Sequence, residues 1–128
     1  MILTVTANPM MEHLFHQPEF EAGGDHRPQD PPILMPTGKP INVARALKNL
    51  GEGVVSVVAV GGATGREIEE ALESEGLEHR LVAIKRESRR GFTVFDGKGE
   101  TTTVYGPAPS LSDGEVETIC ATVRSLLP

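Results

Sequence analysis

Between Val54 and Val60 the chain reads Val-Val-Ser-Val-Val-Ala-Val. A strand with one face in water alternates apolar and polar residues, and this run does not. It has to be covered on both faces, which is the situation of a central strand in a parallel sheet. Parallel neighbours need crossover connections, normally helices. The flanking residues supply them. Gly61-Gly62-Ala63 is a turn, and Thr64 and Glu67 stand at the spacing of a capping box. Ile68, Ala71 and Leu72 then give a helix an inward face, Glu69, Glu70 and Glu73 an outward one, and Gly76 ends it. Met1 to Ala7 is short, apolar and β-branched, so it reads as a buried strand that Asn8-Pro9 terminates. His79 to Ile84 is the next core strand. The order strand, helix, strand, helix, strand predicts right-handed crossovers and an α/β fold.

The helix before the central strand has an unusual entry, Met35-Pro36-Thr37-Gly38-Lys39-Pro40-Ile41-Asn42. Gly38 lets the backbone turn sharply and lets another molecule approach closely. Pro40 fits the first helical turn, where its missing N–H costs nothing. Ile41, Ala44, Leu47 and Lys48 share one side, with Val43 and Leu50 near it, and Gly51 can end the helix. Free N–H groups at such a start attract anions, phosphate among them. An ordinary buried helix with a glycine entry has the same spacing, so the spacing leaves both readings open.

The rest of the chain is less regular. Leu14, His16 and Pro18 alternate with Phe15, Gln17 and Glu19 after Met10, which allows a strand on a sheet edge. Glu21 to Pro32 is polar and rich in Gly and Pro, an irregular segment. Ile33 to Met35 is a short strand feeding the Gly38 turn. Phe92-Thr93-Val94-Phe95 and Thr101-Thr102-Thr103-Val104-Tyr105 flank Asp96-Gly97-Lys98-Gly99, a strong hairpin pattern. Ser112 and Glu115 form a second capping-box pattern, followed by Val116, Ile119, Cys120, Val123, Leu126 and Leu127 as the apolar face of a final helix.

Composition removes several function classes. A chain of 128 residues supports one domain. A net charge of −6 gives nucleic-acid binding no electrostatic support. The lone Cys120 excludes an internal disulfide, fits a reducing cytosol, and within a helical pattern reads as a small core residue. No apolar run reaches membrane-span length, and the N-terminus lacks a signal-peptide pattern. His13, His16, His26 and His79 lack metal-site spacing, so no metal is assigned. The glycines of Gly61-Gly62-Ala63-Thr64-Gly65 have the wrong spacing for dinucleotide binding.

Gly38, Pro40, Asn42, Ala44, Gly51 and Gly61 stand at the offsets of the amino-terminal signature of the PfkB (ribokinase-like) carbohydrate kinases. The opening Met1-Ile2-Leu3-Thr4-Val5-Thr6-Ala7-Asn8-Pro9 and the run Gly61 to Gly65 resemble the branch of 1-phosphofructokinase, minor 6-phosphofructokinase and tagatose-6-phosphate kinase. The resemblance runs along essentially all the residues and covers only about the first two-fifths of such an enzyme. It implies a partial ribokinase-like, Rossmann-type parallel sheet with helices, plus a small β-sheet lid over the sugar. Residues 1–128 would be a single incomplete domain, with lid segments at about 12–35 and 90–105.

The same resemblance implies a substrate site. Glu12 stands where these kinases usually carry an Asp that holds sugar hydroxyls; a solvated loop acid is the alternative. Gly38 and Asn42 match the turn and the Asn that contact the sugar, and an amide can both donate to and accept from hydroxyls. Lys39 could add attraction for phosphate, or stay in solvent. Arg89 matches an Arg near the substrate, and a guanidinium suits bidentate phosphate contact; a surface arginine beside Glu87 is the alternative. His26 and Arg27 lie where a lid cation could meet a sugar phosphate, or in a solvated loop. The departures are Thr37 at the turn, Gly91 in place of an Asn, and Tyr105-Gly106 in place of an Asn-Glu pair. The family's catalytic Asp, in a Gly-Ala-Gly-Asp motif, and its ATP pocket fall later than these residues. No catalytic residue is therefore assigned, no cofactor is expected on this segment, and ATP and Mg belong to the full-length family. The expected function is the sugar-phosphate-binding part of a phosphofructokinase-like enzyme, without kinase turnover on its own. The alternatives are a noncatalytic sugar-phosphate-binding module or a dimerisation module. The expected partners are a sugar phosphate and either a second copy through the lid or a complementary carboxy-terminal chain. The expected location is the cytoplasm.

Overall fold

The computed structural model describes residues 1–128. In chain order the elements are β1 (Ile2–Thr6), β2 (Met10–His16), β3 (Ile33–Thr37), α1 (Lys39–Asn49), β4 (Val54–Val60), α2 (Gly62–Ser74), β5 (His79–Ala83), β6 (Arg89–Phe95), β7 (Thr101–Tyr105) and α3 (Asp113–Leu126). Two sheets result: a parallel one in the order β1-β4-β5 and a mixed one in the order β3-β2-β6-β7.

β4 is the central strand, and all seven of its residues are buried. Its side chains alternate between two apolar clusters. Val58 and Val60 meet Ile41 of α1 and Ile68 and Leu72 of α2, together with Met11 and Leu77. Val57 and Ala59 meet Val82, Ile84 and Ile119 of α3 on the opposite face. Thr4 and Ser56, opposite each other in register, share a buried hydroxyl–hydroxyl bond of 2.9 Å. α1 and α2 end before Gly51 and Gly76, both in the left-handed region, as the glycine positions predict.

Several expectations need correction. β1 is half-covered, not buried: Ile2 and Val5 are 41% and 39% exposed, because the strand lies on a sheet edge. β2 is not an edge strand. Parallel pairing with β6 and antiparallel pairing with β3 place it inside the mixed sheet. Pro18, which suggested an edge, lies beyond the strand; the proline that does sit on an edge strand is Pro36 in β3. Val43 and Leu50 point to solvent. Cys120 is exposed, and of the apolar face expected on α3 only Ile119 is buried.

The predicted capping box of α2 does not form. Gly61 is the N-cap with no side-chain bond. Thr64 and Gly65 are instead buried against the sheet, and Glu67 pairs with Arg90. The carboxylate that closes this helix start comes from 23 residues away, with Glu87 Oε1 accepting from the Thr64 N–H at 2.7 Å. Those bonds, chiefly the one from the Thr64 backbone, lower the pKa of Glu87. The capping box of α3 is present as predicted: Ser112 accepts from the Glu115 N–H and Glu115 from the Ser112 N–H. The second oxygen of Glu115 also accepts from the Lys85 N–H, joining the helix start to the segment after β5.

Candidate functional site

The two sheets meet where β1 ends, β2 begins and α1 starts. β2, β6 and β7 pair so that Glu12, Gly91 and Tyr105 lie in one row across the mixed sheet. Met10 and Arg89 form the neighbouring row toward the core. Side chains alternate along a strand, so Glu12, Arg89 and Tyr105 face one side while Met11 and Arg90 face the other. The start of α1 closes the remaining side. The result is a cavity of about 390 Å³ lined by Met10, Glu12, Thr37, Gly38, Lys39, Asn42, Arg89 and Tyr105. All five sequence-predicted site residues, Glu12, Gly38, Lys39, Asn42 and Arg89, line it. His26 and Arg27 do not; His26 bonds to Glu21 within its own loop. Met10, Thr37 and Tyr105 were not among the predicted binding residues.

Gly38 is the N-cap of α1, with φ +149°. A Cβ there would lie 2.9 Å from Thr6 Cγ2, so a side chain is excluded both by backbone conformation and by space. α1 differs from the other helices at its start. α2 is closed by Glu87 and α3 by its capping box, but α1 has no side-chain cap and no acidic residue in its first turn. Its positive end therefore faces the cavity with no side chain capping it.

Two cations and one carboxylate lie around this opening. Lys39 is exposed. Arg89 makes one long hydrogen bond, from Nη2 to the Asn8 carbonyl at 3.4 Å, and its Nε is buried without a partner. Its guanidinium carbon lies 5.6 Å from the ring centre of Tyr105, a cation–π contact. It does not pair with Glu87. Most of its donors are unspent, which suits a ligand oxygen. Glu12 Oε1 accepts from Thr93 Oγ1 at 2.5 Å, and Thr93 Oγ1 lies 2.9 Å from Thr103 Oγ1. A hydroxyl has one proton, so Thr93 donates to Glu12 and Thr103 donates to Thr93. The chain of bonds holds one carboxylate oxygen and leaves the other as an acceptor toward the cavity.

Gly91 has a packing role. A Cβ built there would lie 2.2 Å from Met10 Sδ, so the thioether occupies the space that a side chain at 91 would need. On the other face of β6, Arg90 makes two parallel 2.7 Å bonds to Glu67 of α2. This fork lowers the pKa of Glu67. Arg90 thus ties the mixed sheet to the core, a role that only the observed strand alternation separates from that of Arg89. No three His, Cys, Asp or Glu side chains come together as a metal cage.

The model of the pfkB family carbohydrate kinases matches residues 10–121. The chain belongs to that family. This pfkB-family chain is 33% identical over 126 residues to the 1-phosphofructokinase of Bacillus subtilis, covering 98% of the chain and 41% of that relative. It is 30% identical to the tagatose-6-phosphate kinase of Staphylococcus epidermidis, covering 91% of the chain and 37% of the relative. Among solved structures, phosphofructokinase-2 from Escherichia coli in complex with fructose-6-phosphate superposes with a TM-score of 0.89 at 28% identity, covering 98% of this chain and 41% of that one. A tetrameric inhibited form of the same enzyme superposes with a TM-score of 0.87. The pfkB-family chain therefore spans about two-fifths of the length of the relatives it matches.

Proposed function

We propose that this chain is the sugar-phosphate-binding part of a phosphofructokinase-like enzyme. The observation that carries the reading is the cavity at the junction of the sheets. It combines an uncapped helix start, two cations with free donors and one carboxylate held by a hydroxyl chain. A phosphate takes the helix start, Lys39 and Arg89; sugar hydroxyls take Glu12 and Asn42. Support also comes from the fructose-6-phosphate complex of the similar Escherichia coli enzyme. Phosphoryl transfer needs a bound nucleotide, charge neutralisation and an oriented hydroxyl. We assign the nucleotide, its magnesium and the catalytic base to the length of the relatives that these residues do not span. The chain alone then binds without turnover, and a complementary carboxy-terminal chain supplied in trans restores activity.

An amide NMR titration with fructose 6-phosphate, fructose 1-phosphate and tagatose 6-phosphate tests this, with MgATP as a separate arm. Saturable shifts at Gly38, Asn42 and Arg89 with a phosphosugar, and none with MgATP, are expected. Silence from every sugar overturns the reading and leaves a dimerisation module. Turnover in a coupled assay with fructose 6-phosphate and MgATP overturns the assignment of chemistry to the remaining length.

A second copy is the proposed partner. Leu34, Phe92 and Val104 align with His13 in one row across the mixed sheet, on the face away from the cavity. They are 54%, 47% and 63% exposed, an apolar stripe that a homodimer would cover. The tetrameric form of the Escherichia coli enzyme is consistent with a homomeric assembly. A monomer by sedimentation at high concentration counts against it. No helix is long and apolar enough to cross a membrane, and the family reading favours the cytoplasm.

A further inference from the structure

Arg45 stands on the turn of α1 after Asn42 and outside the cavity lining, yet its guanidinium makes four hydrogen bonds. Nε donates to Glu75 Oε2 at 2.6 Å and Nη2 to Glu75 Oε1 at 3.0 Å. Nη2 also donates to the Pro36 carbonyl at 2.9 Å. Nη1 donates to Asn42 Oδ1 at 2.9 Å. One side chain thus joins the end of α2, the edge strand β3 of the mixed sheet, and a residue of the cavity wall.

The last bond fixes a chemical choice. A guanidinium has donors only, so the Asn42 atom it meets has to be the oxygen. An asparagine on a solvated helix turn offers a ligand both a donor and an acceptor. With Oδ1 engaged by Arg45, Asn42 offers the cavity its Nδ2 hydrogens. Glu12 is then the acceptor in the wall, and Asn42, Lys39 and Arg89 are donors.

We propose that Arg45 is a positioning residue that presents Asn42 to the ligand as a hydrogen-bond donor and ties that orientation to the placement of the mixed sheet through the Pro36 carbonyl. The ligand atom opposite Asn42 is an acceptor, a phosphate or sugar oxygen. This deepens the sugar-phosphate reading and rests on it. Lysine at 45 keeps the charge but has no planar fork, so it cannot hold Glu75, Pro36 and Asn42 together.

The test uses Arg45→Lys and Asn42→Asp, read by the Asn42 side-chain amide pair without ligand and by titration with fructose 6-phosphate. In Arg45→Lys the Asn42 Nδ2 pair should move toward its solvent position, and the apparent Kd should rise about tenfold, the worth of one charge-assisted bond. Asn42→Asp keeps an acceptor for Arg45 and removes both donors. It should hold or raise the thermal midpoint while losing phosphosugar binding, both because the donors are gone and because the new carboxylate repels the phosphate, so the Arg45→Lys arm is the one that separates positioning from a purely structural contact. An unmoved Asn42 pair in Arg45→Lys overturns the proposal. So does a moved pair with wild-type affinity, or wild-type affinity in Asn42→Asp. If the wild-type chain binds no phosphosugar, the substrate reading fails. The amide pair then still decides whether Arg45 holds Asn42.

Discussion

The two faces of the parallel sheet are packed unequally. On the α1/α2 face, Ile41, Val58, Ile68 and Leu72 are completely inaccessible to solvent. On the α3 face, Ile119 retains 8% exposure while Val116 and Leu127 are 45% and 55% exposed. The well-packed face is also the one that carries the cavity, since α1 begins at Gly38 and α2 is tied to the mixed sheet by Glu67–Arg90. The candidate site is thus set on the more deeply buried half of the molecule, where close packing restricts side chains.

Truncating Leu72 to alanine should have the largest effect, about 3–5 kcal/mol by urea denaturation, since no neighbour can relax into the space easily. Ile119→Ala on the other face should cost about 2–3 kcal/mol, at the low end of such substitutions. Equal losses would break the comparison. Next in size is the Met10–Gly91 contact. Gly91→Ala should cost about 1–3 kcal/mol through overpacking. Combining it with Met10→Ala should recover part of that loss; strict additivity of the two changes would show that the thioether is not what fills the site. Acid should then loosen the α2 tie. Glu67 has a depressed pKa in the folded chain, chiefly through its bond to Arg90. Its contribution is therefore present above the ordinary value of 4.5 and lost as pH falls through the lower folded value. Thermal midpoints of wild type and Glu67→Gln should differ at neutral pH and converge in acid. The smallest effect belongs to Val116→Ser, within about 0.5 kcal/mol of wild type, because its side chain is already half in water. A larger loss would mean that the α3 face is covered in solution.

The sequence was most legible where a single local rule had no competitor. The nearly continuous apolar run of β4, the hairpin around Asp96-Gly97 and the Ser112–Glu115 box all formed as their patterns predict. The Thr64–Glu67 box did not, because Glu87 and Arg90, distant in sequence, offered these groups better partners. Spacing cannot reveal such competition. The parallel pairing of β2 with β6 is equally non-local, and it is what brings Glu12 beside the Arg89 strand. Residue types at the cavity were readable from the resemblance alone. Their supports were not. Thr93, Tyr105 and Arg45 act through register and helix packing, and nothing in their immediate neighbours marks them.

Cys120 lies exposed on α3, on the opposite side of the core sheet from α1, and it is the chain's only thiol. A single maleimide reaction there gives a chain tagged at one known point, remote from the candidate site. A fluorophore or spin label at that sulfur would report tumbling, assembly and association with a second polypeptide while leaving the cavity chemically untouched.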